Sequence, residues 1–514
     1  MDHESGKTVS IWMATARTPV HFPLGEDTHA DVCIIGAGIA GMTTAYLLAR
    51  EGKSVVVLDD GAIGGGMTER TTAHLSSAID DRYYEIERLH GQEGARLAAQ
   101  SHRAAIDRIE SIVVEEGIDC DFERLDGYLF VPPGDSREVL DRELKAAQRA
   151  GLSDVEKVER APIDFNTGLS LRFPRQGQFH PLKYLDGLSR AIERQGGRIF
   201  TGSHASKMTG GRKASMETSD GYAVTADAIV IATNAPVNDL LTIHTKQAPY
   251  TTYAIGARIP FGSVTKALYW DTPDPYHYVR LQTVHEAGGS KHDVLIVGGE
   301  DHKTGQADDF AERYSRLEAW ARERFSLIGS IEFRWSGQVM EPVDGVAFIG
   351  RNPLDNKNVY IATGDSGMGM THGTIAGMLI TDLIMGRECP WVPLYDPSRK
   401  SLRLRGMLEF AAENINVAAQ YASDYLSGGE VGSTDEIGPG EGAVMGFGPK
   451  KVAVYKDEQG ELHKRSALCV HLGCIVKWNS LEKSWDCPCH GSRFDRYGEV
   501  INGPANKALA LVEE

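Results

Sequence analysis

DVCIIGAGIAGMTTAYLLAREGKSVVVLDD, residues 31–60, changes its periodicity twice. DVCIIG reads as a strand, GAGIAG as a tight turn, MTTAYLLAREG as a helix with a glycine stop, and KSVVVLDD as a second strand. This is a βαβ start carrying G-x-G-x-x-G at Gly36, Gly38 and Gly41, with Asp59 at the end of the second strand. Gly36 would permit the turn. Gly38 would let the backbone reach a pyrophosphate, and Gly41 would let helix and strand pack closely. The helix N-terminus would face the phosphates, and Asp59 would accept hydrogen bonds from a ribose. Strand, turn, helix, strand and acid in that order predict a dinucleotide site.

Outward from this unit, residues 61–80 carry too many small residues for a packed helix. They read as a loop that hugs a ligand, with Arg70, Thr72 and His74 as candidate cofactor contacts. Residues 92–117 are expected to be helical, and 119–133 and 151–175 to be short strands and turns. Leu182, Leu185, Leu188 and Ile192 fall at helical spacing, so 180–200 reads as a helix followed by a strand. Residues 222–235 read as a strand pair, 247–300 as sheet and 308–326 as helix. WSGQVMEPVDGVAFIG, residues 335–350, is expected to return toward the cofactor domain. Residues 359–387 repeat strand, glycine turn and helix, presenting Gly364, Gly367 and Gly369 before a helix whose N-terminus could stabilise negative charge. Residues 427–443 hold glycines and acids without a basic residue and read as a linker. KKVAVYKD, LHKRSALC, CIVKWN, SWDCPC and ALALVEE, all beyond it, read as strands of a small β domain.

The chain has 514 residues, enough for several domains, and its 41% hydrophobic and 24% charged residues are ordinary for a soluble globular protein. A net charge of −17 disfavours nucleic acid or anionic membrane as a partner. The start lacks a basic region followed by an apolar one, and residues 32–49 are interrupted by the glycine turn rather than forming a uniform apolar span, so a cytoplasmic protein without a membrane segment is expected. Cys33, Cys120 and Cys389 are isolated and read as small buried residues. The remaining four lie in CVHLGC (469–474) and CPCHGS (487–492). Cys469-x-His471 and Cys487-x-x-His490 each offer one thiol and one imidazole. Zinc is conceivable with such donors, but one Cys and one His per segment suits an iron–sulfur centre with two Cys on one iron and two His on the other.

CVHLGC with CPCHGS resembles the Rieske [2Fe-2S] domain of the cytochrome bc type. The resemblance implies Cys469, His471, Cys487 and His490 as ligands, a Cys474–Cys489 disulfide, a covering proline loop at INGPA (501–505) that includes Pro504, and a hydrogen bond from Ser492 to a cluster sulfur. In high-potential members a tyrosine hydrogen-bonds a ligand cysteine. Phe494 stands there in this sequence, so the resemblance implies a lower potential.

GAGIAG with Asp59, HPLKYLDGL, IVIATNAP and GDSGMGMTHG resemble the FAD-dependent D-amino-acid oxidase-like family over roughly residues 31–390, and SIWMAT resembles the leader of its putrescine-type branch. The resemblance implies an α/β Rossmann-like FAD-binding domain with a mixed-sheet α+β substrate domain, plus a C-terminal all-β Rieske domain. The expected division is a leader (1–30), FAD-binding parts (31–118, 180–245 and 335–426, the last with C-terminal helices), substrate parts (119–179 and 246–334), the linker (427–443) and the Rieske domain (444–514).

The implied activity is hydride transfer from a C–N bond of a small amine or amino acid to FAD, often without a strong side-chain base. Tyr253, Arg258 and His277 are the candidate catalytic residues, with Tyr276 and Tyr278 on the same expected sheet; Arg258 would suit a substrate carboxylate. TTAHLSSAI loosely resembles a segment in which a histidine carries covalent FAD, but the flanking Trp is Ala73 here, so His74 is expected to be a noncovalent neighbour.

FAD accepts two electrons together and a Rieske cluster carries one. The expected route is therefore substrate, FAD, cluster, then an external one-electron carrier. Two alternatives stand: electrons entering through the cluster to reduce a substrate, or an oxygen-using oxidase whose Rieske domain docks or senses. No second G-x-G-x-x-G suggests an NAD(P)H domain, and no 2-His-1-carboxylate arrangement suggests a ring dioxygenase. A homo-oligomer is left open.

Overall fold

The structure is a computed structural model, and it describes residues 6–132, 134–237, 243–286, 288–353, 355–399, 415–416, 420 and 425–512. Thr28–Ile35 pairs in parallel with Val55–Leu58 and with Ala223–Ile231, which pairs in parallel with Val359–Thr363. Phe348–Arg351 and Arg198–Phe200 flank these four strands, and a hairpin of Ala205–Thr209 and Ala214–Thr218 joins at Ala223–Ile231. Val55, Val56, Val57 and Leu58 are all buried, as strands covered on both faces must be. Helices Ile39–Arg50 and Gly369–Ile384 pack against each other beside this sheet, with Gly377 close against Thr43 and Gly373 against Ile39.

A nine-stranded mixed sheet forms the second layer. Its main path runs Ile331–Pro342, Gln247–Pro260, Lys291–Lys303, His277–His285, Leu268–Asp271, Glu123–Phe130, Ser170–Gln178 and His74–Leu75. Helix Phe310–Arg324 covers its outer face with Phe310, Tyr314, Leu317 and Ala321.

Several elements differ from the sequence expectation. The strand pair expected at 222–235 is the single strand Ala223–Ile231. The helix expected at 92–117 runs Tyr83–Glu116 and breaks at Gly91, which has φ 77°. A helix at Glu138–Arg149 was not expected, because its polar composition hides a narrow stripe of Leu140, Glu143, Ala146 and Ala147. Its Glu143 is buried because its carboxylate accepts from the backbone of Tyr83 and Tyr84 at 3.0 and 3.3 Å, capping the longer helix from outside. The described residues of ALALVEE, 508–512, form no strand and supply one bridge, Arg465 to Leu511.

The C-terminal region holds a three-stranded sheet (Glu441–Met445, Val452–Lys456, Leu462–Ser466) and a four-stranded sheet (Lys477–Asn479, Ser484–Asp486, Arg493–Asp495, Val500–Asn502). The glycine-rich stretch before it is not loose. Glu430 N donates to Val444 O, Ser433 and Glu436 form a capping box, and Ile437 is buried with Ala443 and Val454. The helices expected near the end of 335–426 fall largely outside the described residues. Among the described residues, no helix is long and apolar enough to cross a membrane.

Candidate active site

The glycine turn is shaped by backbone rather than side-chain demands. Gly36 has φ 103°, a region that favours glycine. A Cβ on Gly41 would lie 1.9 Å from the Gly36 carbonyl oxygen, so that position serves close helix–strand approach. Gly38 caps helix Ile39–Arg50 without a side-chain hydrogen bond, which leaves the helix N-terminus facing a cavity of about 310 Å³. Asp59 lines the same cavity; its carboxylate accepts from Ala37 N at 2.6 Å and Gly61 N at 2.8 Å. Burial and the neighbouring Asp60 push its pKa up to about 7. A second helix N-terminus, at Gly369, opens on the cavity beside Gly367. Gly364 does not line it: a Cβ there would meet Pro342, Gln247 and Phe348, so this glycine serves the strand-to-turn packing. Arg70, Thr72 and His74 all line the cavity. Ile39 N donates to Thr68 Oγ1 at 3.2 Å, but Gly38, Ile39 and Ala40 line the cavity; a helix N-terminus there suits a pyrophosphate and an acid at the strand end suits a ribose, so these residues fit FAD.

The wall across the cavity is aromatic. Tyr276 and Tyr278 stand 5.7 Å apart between ring centroids, Tyr278 and His74 5.7 Å, and His74 and Trp270 6.1 Å. Tyr278 lies opposite Gly298, where a Cβ would come within 2.2 Å of its ring, so Gly298 makes room for it. The Tyr276 hydroxyl donates to Asp80 at 2.9 Å, and the Tyr278 hydroxyl is 2.9 Å from Thr252 Oγ1. Burial, reinforced by Arg280, holds the His74 imidazole down at about 3, so it is neutral.

The three candidate catalytic residues are placed differently. His277 points to the other face, where Nδ1 lies 3.0 Å from Asp271 and the ring stacks on Trp320 at 4.4 Å. Arg258 is half-exposed, pairs with Glu286 and Glu332, and does not reach the cavity. Tyr253 borders the cavity, but its ring packs on Tyr314 and its hydroxyl meets His302 at 2.9 Å. Strand alternation turns Tyr253 and His277 away while their neighbours Thr252, Tyr276 and Tyr278 take the cavity face, and Arg258 lies near the far end of strand Gln247–Pro260, beyond the cavity.

The cysteine–histidine loops converge. Cys469 and Cys487 are in side-chain hydrogen-bond contact, and the His471 and His490 rings are 5.0 Å apart. Two thiols and two imidazoles meeting in this way fit a [2Fe-2S] cluster. Cys474 and Cys489 form a disulfide between the loops. Ser492 Oγ contacts Cys469 and accepts from Ala505 N at 3.0 Å, tying the loop around buried Pro504 to the cluster loops. The disulfide closes a separation of 15 residues. A Cys474→Ser/Cys489→Ser variant is expected to lose about 3 kcal/mol of stability in the β domain on chain-entropy grounds. Denaturant-induced loss of the cluster's visible absorbance would measure it, and an unchanged midpoint would refute it.

The two halves dock closely. His244 packs edge-on against His471 at 4.9 Å, Gln338 Nε2 donates to Gly491 O at 3.0 Å, and His204 Nε2 is 3.0 Å from Asn506 O. Residues 500–503 and Ala505 line the cavity that the glycine turn opens. Arg70 and Glu482 form an ion pair at 3.3 Å with both side chains buried. Thr8 N donates to Glu482 Oε2 at 3.1 Å, and Ser336 Oγ to Oε1 at 2.6 Å. Neither Gln338 nor Glu482 carried a sequence signal, because their partners lie far away in the chain.

Residues 31–383 match the family described as FAD dependent oxidoreductase, and residues 429–513 match the Rieske [2Fe-2S] domain. The chain is 32% identical over 504 residues to the Rieske 2Fe-2S iron-sulfur protein YhfW of Bacillus subtilis (strain 168), covering 98% of this chain and 97% of that one. It is 28% identical over 399 residues to gamma-glutamylputrescine oxidoreductase of Escherichia coli (strain K12), covering 74% and 89% respectively. Glycine oxidase from Geobacillus kaustophilus shares the fold with a TM-score of 0.59 at 17% identity, over 72% of this chain and 99% of that one. Glycine turn, cavity, thiol–imidazole loops and these matches lead to one conclusion: the chain belongs to the FAD dependent oxidoreductase family, carries a C-terminal Rieske [2Fe-2S] domain, and is an oxidoreductase that uses both cofactors.

Proposed function

We propose that this protein is an amine or amino-acid dehydrogenase. Bound FAD would take the hydride from a carbon next to nitrogen as the nitrogen lone pair forms C=N, and a bound cluster would pass the two electrons singly to two equivalents of an external one-electron carrier, the flavin's proton going to solvent. Bound FAD supplies a two-electron acceptor and the cluster a one-electron carrier. The chain's own residues hold the parts together. Gly38, Asp59 and the Gly369 helix start would bind FAD; Cys469, His471, Cys487 and His490 would hold the cluster; Tyr276, Tyr278, Trp270 and His74 would orient the substrate and exclude water.

The observation that carries this reading is the shared cavity: residues 500–503 and Ala505 of the Rieske domain help wall the chamber that begins at the FAD fingerprint. Such docking favours transfer between the cofactors over a Rieske domain that only senses. The test is anaerobic titration of the holoenzyme with primary and secondary amines and amino acids, following flavin absorbance together with low-temperature EPR of the cluster. The expected result is flavin bleaching followed by the reduced-cluster signal. Flavin reduction with an EPR-silent cluster throughout turnover would overturn the relay.

A further inference from the structure

The aromatic wall faces carboxylates that lack enough protein cations to balance them. Asp80, Asp301, Glu341 and Asp365 line the cavity, and Asp81 stands behind them, sharing the Ser366 hydroxyl with Glu341. Burial first, and for Asp81, Glu341 and Asp301 also repulsion from neighbouring carboxylates, pushes these acids up: Asp301 to about 7, Asp81 and Asp365 to about 6, and Glu341 well above its ordinary value. The Asp301 side chain is hydrogen-bonded to Thr252 and lies near Arg313, while its covered Oδ1 has no hydrogen-bond partner among the described residues.

Two arginines line the cavity. Arg70 is engaged by Glu482, Thr8 and the Ser336 carbonyl. Arg82 donates to the Asp80 carbonyl at 3.0 Å and faces Asp80, Asp81 and Glu143. Arg258, the sequence's candidate for a substrate carboxylate, is paired with glutamates outside. A substrate carboxylate would therefore add charge to acids that burial and one another already hold partly protonated, whereas a cation would favour their ionised form and meet the aromatic side chains and the Asp301 carboxyl.

We propose that the substrate end of the cavity selects an amine that enters as its cation, with no carboxylate beside its nitrogen, held between Asp301 and the Tyr276–Tyr278–Trp270 wall; the ammonium proton passes to the Asp301 carboxylate before the nitrogen lone pair can form C=N. This rests on the dehydrogenase reading only in placing the substrate at that wall. Binding can be read without turnover. Tetramethylammonium, which has no nitrogen lone pair to form C=N, and acetate are each titrated into the oxidised holoenzyme while flavin absorbance is followed.

Saturable perturbation by tetramethylammonium, none by acetate over the same range, and at least tenfold weaker cation binding in Asp301→Asn are expected. Acetate binding as tightly as the cation would overturn the proposal, as would Asp301→Asn affinity within twofold of wild type in a variant that retains its FAD spectrum. If the cation binds as expected but no amine reduces FAD, the dehydrogenase reading falls and the binding site stands. If amino acids reduce FAD with kcat/KM equal to that of their decarboxylated amines, the cation selectivity falls and the dehydrogenase reading stands.

Discussion

Glu482→Ala will release the Rieske domain from the flavoprotein. The substitution leaves Arg70 buried between the halves without its carboxylate, and breaking a buried pair from one side costs about 3–5 kcal/mol. Thr8 and Ser336 lose their acceptor at the same time. The expected result is an early thermal transition, faster proteolysis at the junction and weaker electron transfer between FAD and cluster. Replacing both partners, as Arg70→Met/Glu482→Met, removes the orphaned charge and should recover much of the loss. Identical melting of wild type and Glu482→Ala would sink the argument.

The same pair sets an acid limit on docking. Burial alone would raise the Glu482 pKa, but Arg70 and Arg493, with the Ser336 and Thr8 donors, hold it below its ordinary value. A depressed carboxylate stabilises the folded state fully above its unfolded pKa of about 4.3, and that contribution fades as pH falls through the lower folded value. Melting temperatures of wild type and Glu482→Gln should therefore differ by a constant amount above about pH 5 and converge in stronger acid.

Gly41→Ala is the second large effect. Its new Cβ would sit 1.9 Å from the Gly36 oxygen and 3.0 Å from the Gly36 carbonyl carbon, both backbone atoms that no rotamer change can move. Helix and strand must separate at the turn, at a cost of about 3 kcal/mol, near the upper end for overpacking. If that distortion falls on the cofactor cradle, FAD affinity drops about a hundredfold. Gly38→Ala separates the two roles. There the Cβ would meet only the Thr68 hydroxyl at 3.1 Å, so the apoprotein should keep its stability while FAD binding weakens. Calorimetric melting of the apoproteins and FAD titration by flavin fluorescence check both variants. Equal apoprotein stability for Gly41→Ala and wild type would contradict the packing argument.

Parts of this site were legible because their information is local. Gly36, Gly38 and Gly41 act through one turn, and Cys469, His471 and Cys474 through one loop, so identity and spacing suffice. The aromatic wall was not legible in the same way. Lys291–Lys303 is buried at nine successive residues, His292 to Glu300, because the sheet is covered on both faces. Without alternation between apolar and polar positions, sequence cannot say which phase faces the cavity. His277 was therefore chosen where Tyr276 and Tyr278 take that face, and Asp301 was missed.

By itself the sequence determined a dinucleotide fold at one end, a thiol–imidazole centre at the other, and two kinds of electron chemistry in one chain. Only the tertiary structure decided how they meet. Arg70 finds Glu482 across 412 residues, Gln338 finds Gly491 across 153, and His204 finds Asn506 across 302. Each contact depends on burial and complementary hydrogen bonding that exist only after both domains have folded and docked, so no local pattern encodes it.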